Sequence, residues 1–153
     1  MPDTFSQIYI HIVFAVQNRK ALITADWDEE LYKYITGVVE GKGQKMLAIN
    51  GTENHIHIFI GMRPSCCLSD LVREIKKASY NYIKTKKFTN CNFKWQHGFG
   101  AFSYSHSQIS NVIKYISNQK QKHREKTFRE EYLATLKAFN IEYKPKYTFE
   151  FID

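Results

Sequence analysis

Acidic residues almost vanish from one stretch of this chain. Between residues 73 and 126 there are 12 Lys or Arg, against only Glu74 and Glu125. The 153-residue chain carries a formal charge of +7, so the excess lies here and the remainder is slightly acidic. A basic segment of this kind, interleaved with aromatic residues, points to a polyanion as partner; the plainer reading is a solvated basic surface with no partner. Cysteine is also scarce: Cys66, Cys67 and Cys91. An odd number with two adjacent excludes a disulfide framework and lacks the spacing of a CxxC zinc site, so reduced thiols are expected. No apolar run approaches the roughly 20 residues of a membrane span. The opening MPDTFSQIYI is acidic where a signal peptide is basic. A cytoplasmic location without membrane association is therefore expected. With no internal repeat, linker or low-complexity tract, residues 1–153 read as a single domain, with a core over about 5–123 and a C-terminal helix and tail over 124–153.

What is present is a regular alternation of patterns. QIYIHIVFAV, residues 7–16, is β-branched and aromatic and reads as a strand. Thr24 and the acids after it open a helix whose apolar positions are Leu31, Tyr34, Ile35 and Val38. Gly41 and Gly43 close it. QKMLAIN is a second strand, Asn50-Gly51 a hairpin turn signal, and NHIHIFIG, residues 54–61, the returning strand. Beyond Pro64, with Ser65 or Ser69 as cap, a basic amphipathic helix runs to about Lys87. FKWQHGFGAFSYS follows as a strand or bent hairpin. SQISNVIKYISNQKQKH and TFREEYLATLKAF read as two more helices, and the aromatic tail IEYKPKYTFEFID is expected to pack on the body. The order β-α-β-β-α-β predicts an α+β fold of ferredoxin-like (split βαβ) type: an antiparallel sheet with helices on one face, plus C-terminal helices.

The strand at 54–61 carries the first chemical signal. Alternation puts His55, His57 and Phe59 on one face and Ile56, Ile58 and Ile60 on the other. The isoleucines are the natural core face. The two imidazoles then stand about 7 Å apart along the strand, a spacing suited to one shared metal ion. It is equally compatible with two hydrogen-bonded histidines on a half-exposed strand. The third helix adds to it. Ile109, Val112, Ile113 and Ile116 form its packing face, while Tyr115 and Gln119, four residues apart, stack one turn apart at its edge. A histidine pair, a tyrosine, an amide and a basic half of the chain are the parts of a metal-assisted nucleophile acting on a phosphodiester. Tyrosine is a known covalent nucleophile. Its ordinary pKa of about 10 leaves little phenolate at neutral pH, so it needs a Lewis acid on the phosphate. Imidazole and amide ligands suit Mn²⁺ and allow weak Mg²⁺ binding.

Together, NHIHIFIG and VIKYISNQ resemble the single-tyrosine transposases of bacterial insertion sequences, in the HUH endonuclease superfamily, over roughly residues 5–123. The resemblance implies that His55 and His57 are metal ligands, Gln119 a third ligand and Tyr115 the nucleophile. It implies a DNA transposase that cleaves and rejoins single-stranded DNA at hairpin-bearing ends, with Mg²⁺ or Mn²⁺, through a covalent 5′-phosphotyrosine. It also implies a homodimer in which the tyrosine helix of one subunit completes the other's site. One position departs from the pattern. Many members have an acid before the first histidine, where this chain has Asn54, which puts a carboxylate behind that ligand in doubt.

Other residues admit plainer readings. His11 is expected to be a core or hydrogen-bonded histidine. His97 and His106 receive no role. Arg73, Lys76, Lys77, Lys84 and Lys122 are candidate phosphate contacts, alongside the reading that they form a solvated helix face. Trp95, Phe99, Phe102 and Tyr104 either stack on unpaired bases or fill the core. Two other functions compete: a non-catalytic nucleic-acid-binding module, and a domesticated or rolling-circle-type nickase with the same site.

Overall fold

The computed structural model describes residues 4–120 and 128–139. The strands and α-helices whose bounds lie among the described residues form in the expected order: β1 (Tyr9–Ala15), α1 (Asp28–Gly41), β2 (Lys45–Gly51), β3 (His55–Gly61), α2 (Leu68–Lys86), β4 (Gly100–Tyr104), α3 (Ile109–Ser117) and α4 (Phe128–Ala138). Two short 3₁₀ turns lie at Gln17–Arg19 and His106–Gln108. The sheet order is β2-β3-β1-β4, and every neighbouring pair is antiparallel. This is the ferredoxin-like arrangement predicted from the alternating pattern.

The period-2 pattern of β1 and β3 divides the molecule into two cores. Ile10, Ile12 and Phe14 of β1 and the three isoleucines of β3 point to one face. There they meet Leu31, Ile35 and Val39 of α1 and Leu71, Val72 and Ile75 of α2. The opposite face carries the histidines. Phe59 packs on Val112 and Ile116 of α3, while Val13, Ala15 and Phe102 pack on Leu136 of α4. The sheet is thus covered on both sides, and the tyrosine helix lies on the side away from α1 and α2.

Local details differ from the sequence expectation in instructive ways. Thr24 does not cap α1: its carbonyl accepts from the Trp27 and Asp28 amides, closing a turn before the helix begins. Neither Ser65 nor Ser69 caps α2, whose N-cap is Cys67. Asn50-Gly51 is not the hairpin turn. Both residues pair within the ladder, Asn50 opposite His57 and Gly51 opposite Ile56, and the turn is Thr52–Asn54, closed by the Thr52 amide donating to His55 O. Gly51 is needed for close approach, since a Cβ there would lie 2.3 Å from His55 O. The segment before β4 is no hairpin: Trp95 bridges to Val16, the chain bends at Gly98 with φ +86°, and β4 begins. The predicted third helix is interrupted. It ends at Ser117, Asn118 forms a turn, and helix resumes at residue 119. The tail from residue 140, and Lys122, lie outside the described residues.

Candidate active site

Six side chains converge on the sheet face opposite α1 and α2: His11 from β1, His55 and His57 from β3, Tyr115 from α3, Gln119 just after the break, and Glu131 from α4. Antiparallel pairing sets the rings together, since Val13 lies opposite His57 and His11 opposite Phe59. All but Tyr115 are buried, and His55 and Gln119 are fully inaccessible. Burying this many polar groups is costly unless hydrogen bonds or an ion satisfy them.

Each histidine is aimed by a neighbour. His55 Nδ1 lies 2.8 Å from both Thr52 Oγ1 and Asn54 Oδ1. The Asn54 oxygen only accepts, so Nδ1 carries the proton and Nε2 carries the lone pair. Asn54, the departure from the family pattern, thus occupies the place where an acid would orient the ligand. His57 Nδ1 is 2.8 Å from His11 Nε2, with the two rings stacked 5.0 Å apart. When His57 donates this bond, its Nε2 is deprotonated and its lone pair is open to a cation, the tautomer a metal ligand would need. Burial, then the neighbouring His55 and His11, holds His57 well below the ordinary histidine pKa, with Gln119 opposing. Burial lowers His11 to about 4. Both rings are therefore neutral at physiological pH, the form in which an imidazole can bind a metal.

Glu131 was hidden in the sequence. It sits 3.7 Å from His57 Nε2 through Oε1, which accepts a 3.0 Å hydrogen bond from Gln119 Nε2. Burial raises its carboxyl to about 7. The ligand atoms of His55, His57 and Glu131 all lie within 4.8 Å of one another. Among the described residues, buried His57 Nε2, Gln119 Oε1 and Glu131 Oε2 have no hydrogen-bond partner. Buried lone pairs of imidazole, amide and carboxylate that no described donor meets fit a divalent cation. The available signal was positional. Phe128, Glu131, Tyr132, Thr135, Leu136 and Phe139 recur at helical spacing, so Glu131 falls on the stripe that should be apolar.

Tyr115 is half-buried beside this cluster. Its ring is edge-on to His57 at 5.8 Å and to His11 at 6.2 Å between centroids. Tyrosine, histidine pair and Gln119 thus lie together on one face of the sheet. A half-open cavity of about 400 Å³ adjoins it, lined in part by His11, Tyr104, Asn111, Tyr115, Glu131 and Phe139.

The basic residues fall elsewhere. Arg73, Lys76, Lys77 and Lys84 are on α2, across the sheet. Arg73 pairs with Asp70 at 2.9 Å, both exposed. Lys77 and Lys84 are exposed. Lys76 is occupied structurally: its Nζ donates to Gln96 O at 2.9 Å and Gly98 O at 2.6 Å. Trp95 packs against Phe14 and Phe93 and donates to Ser79 Oγ, so it belongs to the core. Phe102 is buried, Phe99 and Tyr104 half-buried, and His97 and His106 exposed.

Among curated proteins none matches the chain. Two solved structures share its fold at a TM-score of 0.60 each. One, assigned as a transposase of Deinococcus radiodurans, is 17% identical over 78% of this chain and 95% of its own. The other, a REP-associated tyrosine transposase bound to a REP hairpin, is 18% identical over 80% of this chain and 73% of its own. At such identities the likeness concerns the fold. The family described as "Transposase IS200 like" matches residues 4–119, from the start of the sheet through the tyrosine helix to Gln119. With three-quarters of its length inside that match, the chain belongs to the IS200-like transposase family.

Proposed function

We propose that this transposase cleaves and rejoins single-stranded DNA through a covalent bond to Tyr115, at a divalent-metal site held by His55, His57 and Gln119, with Glu131 as a further ligand. The observation that carries the reading is the buried cluster itself: partnerless lone pairs of imidazole, amide and carboxylate beside a tyrosine. When bound, Mg²⁺ or Mn²⁺ supplies Lewis-acid polarisation of the scissile phosphate.

The chain's own residues account for the rest. Thr52 and Asn54 fix the His55 tautomer, and His11 supports that of His57. Gln119 and Glu131 brace each other through their hydrogen bond. Phe59, Val112 and Ile116 seat α3, and Tyr115 lines the cavity. Its phenolic oxygen forms the bond to phosphorus as the bond to the 3′ oxygen breaks, and protons balance through solvent. A returning 3′-hydroxyl reverses the step on a new strand, so the bond is conserved without hydrolysis. DNA with a hairpin end is the substrate on this reading. Exposed Lys77 and Lys84, with Arg73, offer phosphate contacts on the far face.

The test is covalent capture. Labelled single-stranded DNA from the flanks of the gene is incubated with the protein and Mn²⁺ or Mg²⁺, then denatured. An adduct that maps to Tyr115 and disappears with Tyr115→Phe and with EDTA is expected. Binding without adduct, unchanged in Tyr115→Phe, would instead identify a nucleic-acid-binding module.

A further inference from the structure

We infer that the cavity beside Tyr115 is a nucleobase pocket. On the proposed function, on which this rests, it holds one unpaired base of the single strand, next to the phosphate that meets Tyr115. Its volume of about 400 Å³ lies within the span of small-ligand sites, roughly 300–1,000 Å³. Its charge selects between the two parts of a nucleotide. Among the described residues that line it, none is Lys or Arg, and Glu131 is the only acid. A phosphate there would meet a carboxyl group with no cation to offset it. A neutral base meets no such repulsion.

The polar atoms of the lining suit the edge of a base. Where His57 Nδ1 donates to His11 Nε2, neutral His11 carries its proton on Nδ1. That N–H belongs to a ring only 3% exposed, and among the described residues it has no partner. A buried donor left unpaired is costly, and a carbonyl or ring nitrogen of a base would meet it. Two amides add to it. Asn111 Nδ2 donates to Gln108 Oε1 at 3.2 Å, which leaves Asn111 Oδ1 as an acceptor and Gln108 Nε2 as a donor. Such a pair complements the amide-like edge of a nucleobase. Thr135 offers only lone pairs, because its hydroxyl donates to Glu131 O. Aromatic rings supply flat walls. Tyr104 stands edge-on to Phe139 at 5.6 Å between centroids, and His11 lies 6.3 Å from Tyr104. Phe139 is one of two exposed large hydrophobic residues among those described. A part-exposed ring on a cavity wall is a surface on which a base can stack.

Two measurements test this, and the first needs no chemistry at Tyr115. The deoxynucleosides of all four bases are titrated into the protein at millimolar concentration, and the ring signals of His11, Tyr104 and Phe139 are followed by NMR. At least one base should shift all three while the exposed ring of His97 stays unmoved, and Phe139→Ala should weaken its binding by about ten-fold. No shift with any base, or equal shifts at His97, overturns the pocket whatever the protein does to DNA. The second measurement locates the base on the strand. Single strands from the flanks of the gene carry one abasic site at successive positions, and their affinity is measured in EDTA. The abasic site that costs about ten-fold should adjoin the phosphate joined to Tyr115 in the capture experiment. With that strand Phe139→Ala should cause no further loss. A sensitive position elsewhere, or an equal loss from Phe139→Ala with and without that base, overturns the inference. Absence of adduct in wild type would count against the proposed function alone, and the nucleoside titration then decides the pocket.

Discussion

His55 is held by two oxygens from the turn that precedes it, and this makes Asn54 a sensitive position. Asn54→Ala should weaken Mn²⁺ binding by roughly 10- to 100-fold, the range for groups that orient ligands, with unfolding little changed; calorimetric titration with Mn²⁺ checks it. Glu131 sets a different dependence. Its carboxyl is raised to about 7 by burial. The folded state therefore binds this proton more tightly than the unfolded state, and stability from this group falls as pH rises from the ordinary carboxyl range through about 7. Metal binding runs the other way, because the carboxylate must be bare. Mn²⁺ affinity should climb as pH rises through about 7, and this step should be absent in Glu131→Gln, as a titration at several pH values would show. His57 does not supply the step, since its pKa already lies well below the ordinary value.

The elements were more legible than their ends. Alternating apolar residues located β1 and β3 and told the isoleucine face from the histidine face. Helical spacing located α1 to α4. The break at Asn118 was invisible, and the Asn50 side chain that meets the carbonyls beside it arrives from a strand 68 positions away in the sequence. Glu131 was hidden for a related reason: a glutamate in a helix reads as solvated until its stripe is known to face a sheet. Close packing also escaped the pattern. Gly100 of β4 leaves room for α4, since a Cβ there would fall 2.8 Å from the Tyr132 hydroxyl. Gly51→Ala meets backbone instead of a side-chain tip, so it should destabilise the hairpin by about 1–3 kcal/mol, measurable by urea unfolding. Lys76, read as a DNA contact, ties the approach to β4 to α2 through two carbonyls. Lys76→Met should lower stability by about 1–3 kcal/mol without altering the salt dependence of DNA binding.

At the scale of the molecule, the charge and the chemistry occupy different faces. The lysines of α2 lie across the sheet from Tyr115, so any DNA they hold reaches the site around an edge. Lys77→Met should weaken binding similarly for all sequences and reduce the slope of log affinity against log salt by about one, as titrations at several salt concentrations would reveal. Among the described residues no helix is long and apolar enough to cross a membrane. The pairing of β2 with β3 has one more consequence. It sets Asn50 opposite His57, and strand alignment changes only in whole residues. A slide of β3 by one would exchange its faces, carrying the isoleucines to the α3 side and the imidazoles to the α1–α2 side together. Damage to this hairpin would therefore not yield molecules with a slightly worse site. It would divide the population into intact and dead copies, seen as a metal titration that saturates below one ion per chain with its midpoint unmoved.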